Sequence, residues 1–293
     1  MNRAIKTLSL IRVRFLDDFP RPRTALVLGM MLLYILATIM PVREYGLWAK
    51  CGVAPGVFAF MVDEQFCQMV FVGGAVVLFS GAPFRSGLDA YMLPRAGRRS
   101  MALGNCAYIL IGAILYVAVL FGLALTGLIG SLDIGDGWGK LLRSIGSGIV
   151  PDGYSSRFSV VPAIIFEYEA GYALGHALLL ETLCIAFVGL SVYVGNRAFQ
   201  KPVGLWLGSG LVMLDLTVYN MLGDQFYVIS PVSLPRLSIY AFNIHMPWNS
   251  SFAYGYLFLL SGIIILIALA LLEEKYLSSE GRKLFSGKAG KRK

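Results

Sequence analysis

Six long apolar stretches sort the positive charge of this chain into two unequal groups, and that pattern constrains it more than any motif does. The stretches are Thr24–Met40, Val57–Ser80, Met101–Leu128, Gly171–Val194, Val203–Met221 and Phe252–Leu272. Each reaches or approaches the roughly 20 residues that carry a helix across about 30 Å of hydrocarbon. If the connections alternate sides, one side receives Arg3, Lys6, Arg12, Arg14, Arg21, Arg23, Arg85, Arg95, Arg98, Arg99, Arg197, Lys201 and seven basic residues after the last stretch. The other side holds Arg43, Lys50, Lys140, Arg143, Arg157 and Arg236. Basic residues in short flanking loops stay on the cytoplasmic side, so this split predicts an all-α membrane protein with six transmembrane helices and both termini in the cytoplasm.

Composition agrees with that class. Apolar residues make up 57% of the 293, charged residues only 14%, and the mean hydropathy is +0.70, far from a soluble domain. The net charge of +8 follows from basic loops facing an anionic inner leaflet, and it gives no reason to expect a nucleic-acid partner. Cys51 falls in an outer loop, and Cys67, Cys106 and Cys184 fall in apolar stretches, without CxxC or metal-ligand spacing. The N-terminus lacks the apolar core and cleavage site of a signal peptide.

Three segments follow along the chain. Residues 1–23 place Ile5, Leu8, Ile11, Phe15, Leu16 and Phe19 at helical intervals among Arg3, Lys6, Arg12 and Arg14, which predicts a basic amphipathic helix in the membrane interface. Residues 24–275 form the six-helix transmembrane domain, with Asp63 and Glu64 at the outer mouth of the second span. Residues 276–293 form a basic cytoplasmic tail. The outer loops at 129–170 and 222–251 are long and partly apolar, and such loops dip toward the membrane only where protein or water satisfies their backbone.

Few devices of catalysis are present. No phosphate-binding GxxxxGK[ST] loop and no HExxH occurs, and the two histidines are His176 and His245. Ser209, in Leu207-Gly208-Ser209-Gly210, reads as small-residue packing rather than a nucleophile. Two acids do lie deep in apolar stretches. Glu181 is thirteen residues from the cytoplasmic end of the fourth span and Asp215 twelve from that of the fifth, which puts both roughly 18–20 Å above the inner face. A carboxylate at that depth costs about 2.5–3.5 kcal/mol on insertion scales and marks a candidate transport path. No Arg or Lys lies within the spans as a partner, and the alternative to a transport role is a carboxyl kept protonated or satisfied by neighbouring Thr182, Tyr219 or Asn220. Similar depth on neighbouring helices suggests a shared proton or a polar patch. Gly171–Gly175 and Gly204–Gly208 are small-xxx-small pairs that permit close helix approach within or between subunits.

The second connection is the richest loop. It combines Pro83, Phe84, Arg85, Asp89, Tyr91, Arg95, Arg98 and Arg99 immediately before the third span. Its arginines anchor on anionic lipid or suit a groove on a cytoplasmic partner. With the Pro83-Phe84 to Arg95-Ala96-Gly97-Arg98 loop, the Ser230-Pro231-Val232-Ser233 to Arg236-Leu237-Ser238 segment and the six-span layout, the chain resembles the membrane subunits of type-2 ABC exporters. The resemblance implies that residues 82–99 dock on a separate ATPase, which would carry the ATP and Mg, and that Ser230, Pro231, Ser233 and Arg236 lie near an outer gate. It implies a second permease subunit, identical or not, in a bacterial cytoplasmic membrane, and no cofactor or catalysis on this chain itself. Two other expectations stand beside it: a proton-coupled carrier using Glu181 and Asp215, and a non-transporting scaffold or immunity protein.

Overall fold

A computed structural model describes residues 10–16, 21–82, 97–135, 137–150, 154, 158–199, 202–222, 224–241 and 251–289. The chain is all-helical; α1 covers 10–16, α2 Pro22–Trp48, α3 Val57–Asp63, α4 Gln65–Phe79 and α5 Arg98–Gly127. Between α5 and the next long helix, α6 is Gly139–Gly146 and α7 Pro162–Glu167, followed by α8 Ala170–Ala198 and α9 Val203–Thr217. A π-helical turn at Val218–Leu222 and 3-10 turns at Asp224–Ile229 and Leu237–Ile239 lead to α10, Phe252–Ala289. One isolated bridge, Val53 to Leu132, is the β pairing found among the described residues.

Five helices are long and apolar enough to cross a membrane, or six if α3 and α4 count as one broken span, so this is a multi-pass membrane protein. The best-buried is α8, with 61% of its apolar window inside the protein against 22–33% for the others. It packs against α3, α4, α5, α9 and α10. Small residues make this possible. A Cβ on Gly204 of α9 would stand 1.9 Å from the Val192 carbonyl oxygen, and one on Gly208 would meet the Val192 and Val76 side chains. The Gly204–Gly208 pair therefore serves packing within the subunit, while nothing lies within 4 Å of Gly171 or Gly175.

The second span departs from expectation. It is two helices, bent by 83° at Glu64, and all seven residues of α3 are buried. Apolar periodicity alone cannot tell a straight span from a buried helix followed by a shorter one. The physical cause of the break is polar. The Glu64 carboxylate accepts the Cys67 N–H at 2.7 Å and caps α4, while Asp63 accepts the Ser238 N–H at 2.7 Å. Among the described residues the backbone bonds across the break are Glu64 N–H to Phe60 O and Gln68 N–H to Glu64 O. The Met61 and Val62 carbonyls are thus not taken up by the helix that follows.

A cap from the connection between α5 and α8 holds α3 in place. Gly137 and Gly139 adopt φ of +83° and +66° and turn the Trp138 ring inward beside Phe60, at 5.0 Å between centroids. Its indole N–H donates to the Tyr168 carbonyl at 2.8 Å, and the ring edge leaves no room for a side chain at Gly56. At its C-terminus α2 stops in a Schellman turn: Cys51 N–H reaches the Gly46 carbonyl at 2.9 Å, and Lys50 takes φ +51° where glycine is usual. In α1, Arg12 is exposed, whereas Arg14 is buried and donates to Asn105 Oδ1 at 3.2 Å, so part of the basic face packs on α5.

Candidate functional site: a buried polar seam

The break at Glu64 brings four chain segments to one polar seam. Gln65 and Gln68 lie one turn apart on the buried face of α4, and Glu181 projects from α8 and Asp215 from α9. The turn 230–236, between α9 and α10, supplies Ser230, Ser233 and Arg236. Asp215 and Glu181 are 1% and 0% exposed.

Asp215 is fully partnered. Its Oδ2 accepts from Gln65 Nε2 at 2.9 Å and from the Arg236 guanidinium at 2.5 Å. Its Oδ1 accepts from Ser230 at 3.2 Å and, through a short bond, from Ser233. Arg236 lies over the Tyr219 and Tyr227 rings, 5.8 and 5.6 Å from their centroids, and also acts electrostatically on Asp63. This corrects the expectation that no cation would reach the acid. Arg236 belongs to a segment read as outer loop, but that segment turns back into the helices and brings its charge with it. Thr182 and Asn220 do not serve the acids. Their side chains bond the Leu178 and Leu216 carbonyls of their own helices, at 2.7 and 2.8 Å, and Tyr219 offers its ring to Arg236 instead.

Glu181 has a sparser environment. Its Oε2 accepts from Gln68 Nε2 at 2.7 Å, and the same amide reaches the Val232 carbonyl at 3.3 Å. Glu181 Oε1, Gln68 Oε1, Gln65 Oε1 and Arg236 Nε are buried with no hydrogen-bond partner. Tyr116, whose hydroxyl donates to the Phe71 carbonyl at 2.9 Å, lies within electrostatic reach of Glu181. Cys184, one turn along α8, lies within reach of Glu181, Asp215 and Arg236 together. The two acids therefore share one electrostatic neighbourhood, yet each is hydrogen-bonded to its own glutamine and only Asp215 to a cation. Among the described residues no direct hydrogen bond joins the two carboxyl groups.

The other sequence candidates are distributed as follows. Pro231 is buried with Ser230 and Ser233, so the whole group of residues around 230–236 gathers at the seam. Of the docking-loop residues, Pro83, Phe84, Arg85, Asp89, Tyr91 and Arg95 lie outside the described residues, as does His245. Arg98 begins α5 and Arg99 is exposed on its first turn. The chain entering the loop is anchored: Asn196 Nδ2 donates to the Ser80 and Ala82 carbonyls at 3.2 and 2.8 Å, while its Oδ1 accepts the Gly204 N–H at 2.7 Å. Ser209 lines an apolar groove of about 430 Å³ with Met30, Met31, Met69 and Met213. His176 stacks on Phe252 at 4.1 Å and bonds the Tyr256 hydroxyl, fastening α8 to α10.

Sequence reasoning missed Gln65, Gln68 and Asp63 as members of the site. The available signal was two glutamines at i and i+3 inside an apolar run, which puts two amides on one helix face. A separate cavity of about 820 Å³ is lined by Trp138, Arg143, Phe166, Glu167, Tyr168 and Glu169 among others. There burial, with Glu167 beside it, pushes the Tyr168 phenol up to about 12. Among the described residues no three His, Cys, Asp or Glu side chains gather to hold a metal. No protein-family model matches the chain, and neither a curated protein nor a solved structure matches it.

Proposed function

We propose that this chain is the permease subunit of an ATP-driven exporter of the type-2 ABC class in a bacterial cytoplasmic membrane. In this reading both termini are cytoplasmic, a second permease subunit completes the pathway, and ATP and Mg bind a separate ATPase chain that docks on residues 82–99. The observation that supports it is a continuous linkage between the two ends of the bundle. Asn196 ties the entry of the docking loop to the cytoplasmic ends of α8 and α9. Those same helices carry Glu181 and Asp215, and Asp215 holds the turn 230–236 through Arg236, Ser230 and Ser233. A displacement of the loop on ATPase closure would move α8 and α9 as one unit and strain the outer turn, switching access between sides.

Purification of the full chain in mild detergent, with mass spectrometry of whatever accompanies it, tests the proposal. A stoichiometric ATPase chain is the expected result. Charge reversal at Arg95 and Arg98 together should then uncouple ATP hydrolysis from transport while the permease still folds. Full assembly and stimulated hydrolysis in that variant would assign the arginines to lipid anchoring. Absence of any ATPase partner, with substrate flux driven by a proton gradient, would replace the proposal with a proton-coupled carrier; the unpartnered Oε1 of Glu181 is the observation that favours this second reading.

A further inference from the structure

Glu181 and Gln68 form an incomplete coordination shell. Both are 0% exposed. The orientation of the Gln68 amide is fixed by its neighbours, because only an NH2 group can face both a carboxylate and a carbonyl oxygen. Its Oε1 therefore points elsewhere, and that oxygen and Glu181 Oε1 are acceptors without donors. Gln65 is constrained in the same way by Asp215, and its Oε1 is also without a donor. Three buried acceptor oxygens on α4 and α8 are thus left without a donor, and two of them, on Gln68 and Glu181, belong to side chains already in contact.

The charge balance points the same way. The seam buries Asp63, Glu181 and Asp215 against one buried cation, Arg236. Arg236 is spent on Asp215, and Asp63 takes a backbone N–H. Glu181 is left with a neutral amide, and an uncompensated carboxylate in such surroundings is strongly unfavourable. At the helix break the Met61 and Val62 carbonyls are likewise not used by the helix that follows.

We propose that an alkali-metal cation binds between α4 and α8, with Glu181 Oε1 and Gln68 Oε1 as its side-chain ligands. One carboxylate and neutral oxygens suit a single positive charge; a divalent ion would draw on more carboxylates than this shell offers. The site does not depend on an ATPase partner, and its test is separate from that of the exporter reading.

The test is thermal unfolding of the purified full chain in NaCl, KCl or choline chloride at equal ionic strength and fixed pH. A bound ion stabilises the folded state by mass action, so the wild-type midpoint should rise with the logarithm of the alkali-ion concentration above Kd, by roughly 5 °C at a hundredfold excess. Choline, too large for the shell, should give no such rise. Glu181→Gln should lose the response, while Thr182→Val, altering a side chain bonded only to its own helix, should keep it. If Glu181→Gln does not fold, Gln68→Met is read instead. Equal midpoints in all three salts would overturn the proposal and assign the free oxygens to buried water. A midpoint indifferent to salt but rising as pH falls would overturn it in favour of a protonated Glu181. An alkali response that survives in both variants would move the cation elsewhere.

Discussion

Replacing Arg236 by methionine removes the one cation bonded to Asp215 while keeping a long apolar side chain against Tyr219 and Tyr227. The pair is 4% and 1% exposed, so water cannot step in to solvate the orphaned carboxylate. Breaking a buried pair from one side costs about 3–5 kcal/mol, most of it the penalty of the charge left behind. Asp215 would keep Gln65, Ser230 and Ser233 as donors, which puts the expectation at the lower end of that range. A domain of this size shifts by roughly 2–4 °C per kcal/mol, so the unfolding midpoint should fall by roughly 6–12 °C. Asp215→Asn should also destabilise, since an amide cannot accept from four donors. The double variant should recover part of the loss, because no lone charge is then buried. Fluorescence-detected size exclusion after heating, on all four proteins, reads the cycle. Wild-type stability in Arg236→Met, or a double variant as unstable as the two single losses added, would refute the reasoning.

Gly204→Ala should cost at least about 1–3 kcal/mol through overpacking against the Val192 carbonyl, whereas Gly210→Ala, with nothing within 4 Å, should be neutral or slightly stabilising; equal midpoints for the two would contradict the α8–α9 contact. Trp138→Ala should lower stability by about 3–5 kcal/mol by opening a cavity over α3, and Trp138→Phe by roughly 1 kcal/mol through the lost bond to Tyr168; the unfolding midpoints of both variants check this, and an order reversed between them would count against the cap. On sidedness, an impermeant thiol reagent should label a cysteine placed in 131–156 and spare one in the C-terminal tail of intact cells. The reverse pattern would invert the topology.

How much of this was legible in the sequence depended on whether a signal was local. Five helices could be read from hydropathy because a span needs only its own residues to be apolar. Glu181 and Asp215 stood out for the same reason, as charges against an apolar background. The bend at Glu64 was not legible, because Val57–Ser80 is apolar on both sides of Asp63 and Glu64, and an N-cap of α4 by Glu64 looks identical to two acids at a membrane surface. Arg236 was placed in an outer loop, near a gate by resemblance alone, since its neighbours Ser230, Pro231 and Pro235 read as a loop. Only the tertiary structure shows that this loop is buried and that its charge has an acid to meet. Nothing in the spacing of Gln65 and Gln68 pairs them with acids on two other helices.

The broken second span also sets an order on biogenesis. A predominantly apolar run from Val57 to Ser80 is what an insertion apparatus accepts as one crossing, and straight insertion is the state available when it leaves the ribosome. The contacts that stabilise the bend come later: Glu181 lies 113 residues beyond Gln68, Asp215 150 beyond Gln65, and Ser238 175 beyond Asp63. At about 5–20 residues per second, the chain spends roughly 6 to 35 seconds without them. During that interval two glutamines and two acids face lipid or transient partners. Truncations that end before Ser238 should therefore be the forms most readily seized by membrane quality control, whatever their remaining hydrophobicity.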